Sequence, residues 1–156
     1  MNIRRAEEKD IPRILELLSQ ILELHAVIRP DIFIPGTTKY SHEQIAEKLR
    51  NEDELIYCAV DEDDRVLGYA FCRIVKSSSE NIIPSTSIYL DDLCVDQCIR
   101  GQGIGQALFA HVREEAAAMG CFAITLNVWE GNDGARRFYE RLGLKPRSTT
   151  MEFILP

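Results

Sequence analysis

The sequence predicts an α+β sandwich, a run of mainly antiparallel strands with helices packed against them, and three observations carry that prediction. Short apolar, β-branched runs at 55–60 and 66–75 flank an acidic turn at 61–64, the pattern of a hairpin. Apolar residues recur at helical spacing near the N-terminus and again after residue 104. A glycine-rich turn at 100–105 joins a third strand-like run to the second of those helices. No internal repeat, low-complexity tract or linker interrupts the 156 residues, so one domain over 1–156 is expected.

The elements follow in order. Residues 3–6 read as a short first strand. Asp10 is a candidate N-cap, with Pro12 in the first turn of a helix whose Ile14, Leu17, Leu18, Ile21 and Leu22 repeat to about residue 24. Residues 25–39 hold Pro30, Pro35 and Gly36 and read as an irregular excursion. Ser41-His42-Glu43-Gln44 matches a capping box and opens a helix to about residue 50. The hairpin strands come next, then a polar loop at 77–84 and a strand at 87–96. The glycine turn leads into a helix with Ile104, Ala107, Leu108, Val112, Ala116 and Met119 on one face, ended by Gly120. A strand is expected at 122–129, a helix at 133–142 closed by Gly143, and one or two last strands at 144–155.

Composition narrows the function classes. Eighteen basic and 25 acidic side chains give a net charge of −7, which argues against a nucleic-acid partner and mildly favours cationic ligands. The five cysteines (Cys58, Cys72, Cys94, Cys98, Cys121) form no CxxC pair, and several lie in apolar runs, so reduced core thiols and a cytoplasmic location are expected. Cys94 and Cys98 lie near the glycine turn, but no paired His supports a nucleophilic thiol. His25, His42 and His111 show no metal-ligand spacing, and no metal is expected. The charged N-terminus is followed by no apolar h-region and no apolar run reaches bilayer length, so neither a signal peptide nor a membrane partner is expected.

The turn reads Arg100-Gly101-Gln102-Gly103-Ile104-Gly105. Glycines let backbone N–H groups approach a bulky pyrophosphate, and a helix N-terminus adds roughly half a positive charge. A Walker loop is excluded because Gln106-Ala107 follows Gly105, and a dinucleotide fingerprint by the spacing. The pattern (Arg or Gln)-x-x-Gly-x-(Gly or Ala) resembles the coenzyme A pyrophosphate loop of the GNAT superfamily of N-acetyltransferases. Residues 132–143 (Asn-Asp-Gly-Ala-Arg-Arg-Phe-Tyr-Glu-Arg-Leu-Gly) are similar to that family's second cofactor segment, with Tyr139 at its catalytic tyrosine. Residues 88–95 resemble its central strand, and the likeness spans roughly 57–155. It implies a mixed, splayed sheet whose V-shaped gap admits acetyl-CoA as cosubstrate.

Acetyl transfer from a thioester to an amine needs a held cofactor, a polarised carbonyl, a neutral amine and a proton for the leaving thiolate. The N–H groups of residues 100–105 are candidates for the pyrophosphate, with Arg100 adding a charge-assisted contact. The resemblance implies that the backbone at Leu93, Cys94 and Val95 holds the cofactor and polarises the carbonyl. Tyr139 is the candidate acid, since a phenol near pKa 10 stays protonated at neutral pH. Asn132, seven residues earlier, is two helical turns away on the same face and could bond the pantetheine amides. Trp129 is a candidate for stacking on an alkylammonium, or a core residue.

Asp91 and Asp92 are the acidic pair on the strand that leads to the loop. Strand alternation puts them on opposite faces, so at most one enters the site unless a bulge intervenes. The run Ile-Tyr-Leu-Asp-Asp is similar to the polyamine and thialysine branch of the family, where an acidic pair binds or deprotonates the amine. That branch usually has Glu first, and the shorter Asp91 favours a water relay. The expected activity is acetyl-CoA-dependent acetylation of a primary amine, a small cationic metabolite, by direct attack in a ternary complex. Acetylation of a protein N-terminus or lysine is the alternative, and a non-catalytic coenzyme A-binding module is the alternative of another class. A homodimer is left open.

Overall fold

The computed structural model describes residues 1–156. Nine elements follow one another: β1 (Asn2–Arg5), α1 (Ile11–Ile28), α2 (His42–Arg50), β2 (Glu54–Val60), β3 (Val66–Ser79), β4 (Ile82–Val95), α3 (Ile104–Ala118), β5 (Ala123–Thr125) and α4 (Asp133–Arg141). The strands form one sheet in the order β1-β2-β3-β4-β5. The first four are antiparallel, and β5 runs parallel to β4.

Alternation along the central strands loads both faces with apolar side chains, which is why helices cover both. Ile56, Cys58, Val60, Tyr69 and Phe71 face α1 and α2, packing on Ile14, Leu17, Leu18 and Ile45. Leu55, Tyr57, Ala59, Ala70 and Cys72 face α3, packing on Leu108, Phe109 and Val112. The result is the three-layer arrangement expected.

Several boundaries differ from the sequence expectation, each for a physical reason. Asp10 does not cap α1 with its side chain. Its carboxylate is buried against the Arg4 guanidinium (2.8 and 3.0 Å) and accepts the Glu7 N–H at 2.8 Å. A nearby guanidinium outcompetes an orphan helix N–H for a buried carboxylate. Helix α1 runs four residues past the expected 24 and ends where Pro30 bars residue 29 from helical geometry. The capping box of α2 forms as read: Gln44 N–H donates to Ser41 Oγ at 3.2 Å, and Ser41 N–H to Gln44 Oε1 at 2.8 Å.

The polar loop expected at 77–84 is instead the tip of a long β3–β4 hairpin, with Ser79 paired to Ile82. Its polar residues are strand residues that project beyond the core and are solvated. Only Ala123–Thr125 of the expected strand 122–129 joins the sheet, pairing with Ser87–Tyr89. Beyond Tyr89, β4 continues to Val95 with no neighbour on that side, which opens a gap in the sheet. The strands expected at 144–155 do not form. Leu144 packs on the core of the α3 face, residues 145–155 are exposed, and none of them pairs with the sheet.

Gly68 of β3 lies close against the part of β4 that borders that gap. A Cβ there would lie 2.7 Å from the Cys94 carbonyl oxygen and 3.2 Å from a Val95 methyl. An alanine normally strengthens a strand relative to glycine, so the sign of the effect is diagnostic. Gly68→Ala is expected to destabilise the protein by about 1–3 kcal/mol in urea unfolding, because β4 must shift to admit the methyl. A neutral or stabilising result would mean that β3 and β4 are not in close contact at this point.

Candidate active site

The register of β3 and β4 answers the question left by Asp91 and Asp92. Phe71 pairs with Asp92 and Cys72 with Leu90, so Asp91 is an extra residue, a β-bulge. Before the bulge, Ile88 and Leu90 point to the α3 face; after it, Leu93 and Val95 do. The bulge absorbs one alternation, and both carboxylates turn to the α1/α2 face.

Each carboxylate has its own partners. Asp91 accepts a short hydrogen bond from the Tyr40 hydroxyl, and the Lys39 ammonium stands 3.1 Å from its Oδ1 and 3.3 Å from its backbone oxygen. Tyr40 stacks on Phe71 with centroids 5.6 Å apart, and Lys39 also lies 5.6 Å from the Tyr40 ring centroid. Carboxylate, carbonyl oxygen and ring together form a seat for an alkylammonium, filled here by the protein's own Lys39. Asp92 accepts from the Tyr69 hydroxyl at 2.8 Å. Burial pushes the Asp92 carboxyl up to about 6, and the Asp91 charge adds to the rise; Lys39 and Tyr69 oppose it. Lys39, Tyr40 and Tyr69 were not singled out in the sequence. Their partners lie 23 to 52 residues away, and no local pattern marks such contacts.

The glycine turn lies at the end of the same strand. Asp96 anchors it: its carboxylate accepts from the Cys98 N–H (3.1 Å) and pairs with Arg13 of α1, while Gln20 Oε1 accepts the Gln97 N–H at 3.0 Å. Arg100 Nε donates to the Val95 carbonyl at 3.1 Å, so this side chain closes the turn upon β4. Gly101 and Gly103 adopt φ of 83° and 79°, and no atom lies within 4 Å of where their Cβ would be. That open space at the N-terminus of α3, with no acidic residue in its first turn, suits a polyphosphate. Gly105 does a different job: a Cβ there would lie 3.2 Å from the Phe138 ring of α4, which packs closely over the bare glycine.

Helix α4 delivers Tyr139. Its ring packs edge-on to Phe138 and Phe109 among the residues of the α3 face. Burial, with the Asp92 charge next, raises its phenol above the ordinary value. It therefore keeps its proton at neutral pH. Asn132 is the N-cap of α4 rather than a residue on its face; its Oδ1 accepts the Ala135 N–H at 3.3 Å, which leaves its amide NH₂ to donate.

Two candidates from the sequence have other employment. Cys94 is buried and its thiol donates to the Leu17 carbonyl at 3.6 Å; burial pushes it up to about 12, so no thiolate forms at neutral pH. Trp129 receives the Arg29 guanidinium 5.8 Å from its centroid and packs T-shaped with Phe33, ring centroids 5.4 Å apart. No group of three or more His, Cys, Asp or Glu is placed to hold a metal ion.

Comparison with known proteins agrees with this geometry. Residues 18–144 match the acetyltransferase (GNAT) family. The chain is 30% identical over 151 residues to a thialysine N-epsilon-acetyltransferase of Bos taurus, covering 90% of this chain and 82% of that protein. It is 25% identical over 166 residues to a glucosamine 6-phosphate N-acetyltransferase of Trypanosoma brucei brucei, covering 99% and 96%. The crystal structure of a mutant BH1408 protein from Bacillus halodurans superimposes with a TM-score of 0.96 at 30% identity over the full length of both chains.

The raised Asp92 carboxyl makes a stability prediction. A carboxyl held at about 6 in the fold and near 3.8 in the unfolded chain favours folding below pH 4 and penalises it as pH rises through 6. Asp92→Asn removes the charge and keeps an acceptor for Tyr69. Relative to the native protein it should gain stability between pH 4 and pH 8, on the order of 1–3 kcal/mol for this half-buried group. Urea unfolding at the two pH values checks this; parallel pH profiles for the two proteins would place the Asp92 charge in open solvent.

Proposed function

The chain belongs to the acetyltransferase (GNAT) family and is an acyltransferase; from that premise we propose that it moves an acetyl group from acetyl-CoA to the primary amine of a small cationic metabolite. The observation that carries the acceptor class is the bulge at Asp91, which gathers two carboxylates and already seats a primary ammonium, that of Lys39. An acceptor cation takes the place of Lys39. The ε-amine in the name of the Bos taurus relative supports the same class.

The residues divide the work. The N–H groups of residues 100–105, with Gly101 and Gly103 open to ligand, hold the pyrophosphate of coenzyme A. The backbone of Leu93, Cys94 and Val95 borders the gap left where β5 departs. In a strand bonded on one side only, alternate N–H groups point outward, and these are free to bind the pantetheine arm and polarise the thioester carbonyl. The Asn132 NH₂ supplies a further donor. Asp91 binds the ammonium. Asp92, ionised above about pH 6, takes a proton from the bound ammonium directly or through a water, so that the neutral amine attacks, and the proton the nitrogen sheds as the amide forms leaves to solvent. Tyr139 gives its proton to the departing thiolate. The raised Cys94 thiol supports direct attack in a ternary complex over an acyl-enzyme. The free thiols support a reducing, cytoplasmic setting, and no helix is long and apolar enough to cross a membrane.

Thiol release with a panel of diamines, polyamines, amino acids, amino sugars and peptides tests the reading. Turnover of cationic primary amines is expected. Turnover of peptides alone would transfer the assignment to protein acetylation, and coenzyme A binding without turnover would make the chain a binding module. Tyr139→Phe should lower kcat by roughly 10²–10⁴-fold with cofactor affinity kept. Gly103→Asp, which puts a carboxylate in the pyrophosphate cradle, should weaken cofactor binding at least about tenfold by calorimetry, a loss of about 1.4 kcal/mol.

The two carboxylates should separate in kinetics. Asp91→Asn is expected to raise KM for cationic acceptors more than for neutral-tailed ones. Asp92→Asn should chiefly lower kcat and remove the inflection near pH 6 from its profile. Equal effects of the two substitutions on both acceptor types would reduce the acidic pair to a structural role.

A further inference from the structure

Lys39 sits in the ammonium seat as an acceptor would. Its Nζ lies 3.1 Å from Asp91 Oδ1 and donates to the Asp91 backbone oxygen at 3.3 Å, and its charge also acts on the Asp92 carboxyl. The other lysines are engaged elsewhere or unpaired. Lys9 pairs with Glu7 and Asp64, Lys48 with Glu54, and Lys76 and Lys145 with no carboxylate. Lys39 is thus the one lysine at the acidic pair.

The backbone on both sides of Lys39 is fastened. The Gly36 N–H donates to Glu23 of α1 at 2.7 Å, the Thr38 hydroxyl donates to the Tyr40 carbonyl at 2.8 Å, and Ser41 caps α2. Tyr40, stacked on Phe71, walls the seat. The Lys39 side chain keeps 42% of its surface in solvent, so its flexible stem can move along the two carboxylates at little cost. A purely structural pair is better served by the planar fork of an arginine; a lysine is the cation that can lose its proton and become a nucleophile.

We infer that, given the acetyl transfer proposed for this site, each chain acetylates its own Lys39 once, and that the loss of this charge opens the seat to external amines. The lysine ammonium gives one proton to Asp92, and the neutral Nζ attacks the thioester carbonyl. The N–C bond forms as the C–S bond breaks. The nitrogen sheds its second proton to solvent, and Tyr139 protonates the departing thiolate and recovers a proton from solvent. Asp92 then releases its proton, so acetyl-CoA and the lysine ammonium become coenzyme A, acetyl-lysine and one free proton. The neutral amide no longer forms an ion pair with Asp91, and an acceptor cation meets no competitor there.

Intact-mass and peptide-mapping spectrometry of the full chain, incubated with acetyl-CoA and no amine, tests this. The expected result is the gain of one acetyl group, at Lys39, at a rate per chain that does not change with protein concentration. Tyr139→Phe should slow the gain by roughly 10²–10⁴-fold, and native protein mixed with that variant should leave the variant unmodified. A group already present at Lys39 of the purified protein, and missing from Tyr139→Phe, gives the same answer. After modification the KM for cationic amines should fall about two- to fivefold, the range that a part-exposed ion pair supplies. Lys39→Gln should show the lower KM from the start. Without acetyl-CoA, a diamine should displace Lys39 from Asp91 and raise its labelling by a small amine-reactive ester relative to Lys76. An unmodified Lys39 in a chain that turns over external amines overturns the inference and leaves the acetyl transfer to those amines standing; a chain that does neither overturns both. Acetyl groups spread evenly over the lysines, a rate proportional to protein concentration, or a KM unchanged after full modification also overturns it.

Discussion

Two carboxylates next to each other in a strand should face opposite ways, and the one extra residue in β4 prevents it. Once Asp91 and Asp92 share a face, like charges are held together in a part-buried place, and the surroundings must compensate. Tyr40 and Lys39 take up Asp91, and Tyr69 takes up Asp92. The excursion after α1 is therefore not a free connection: Lys39 and Tyr40, near its end, are bound to β4. The compensation is incomplete at Asp92, whose carboxyl stays well above the ordinary range. A group left near neutrality in this way is poised to exchange a proton, and a better-paired one would not be.

The second constraint is the departure of β5 from β4 after three paired residues. It leaves half of β4 with an open edge, a costly arrangement in an ordinary sheet because its N–H and C=O groups go unmatched. Here the open edge borders Asp91, Asp92 and Cys94 on one side and the glycine turn at its end. No buried side-chain polar atom in the molecule lacks a partner. The open edge is thus the exception in a well-satisfied structure, which is the pattern of a binding surface rather than of poor packing.

Helix α1 ties these parts together. Arg13 and Gln20 reach the Asp96 and Gln97 backbone region that starts the glycine turn, and Arg29 at the other end reaches Trp129 and Glu152. One rigid helix thereby spans from the glycine turn to the Trp129 side of the sheet. Polar links of this kind add little net stability when exposed, but they fix positions. The buried Arg4–Asp10 pair does the same at the entrance to α1.

The sequence by itself determined whatever depends on neighbours a few residues away. The capping box of α2, the glycine turn into α3, the two-sided apolar alternation of β2 and β3, and the Asn-to-Gly segment bearing Tyr139 all rest on local geometry, which a string of residues displays directly. The family likeness of the acetyltransferase motifs is of the same kind. Only the tertiary structure decided the face of Asp91, since a bulge is a difference in register between two strands and exists in neither alone. It alone brought Tyr40 and Lys39 to Asp91 across some fifty residues, and gave the Asp10 carboxylate to Arg4 instead of to the helix. The run 144–155 has the composition of a strand yet stays unpaired, because a strand is made by its partner and not by its residues.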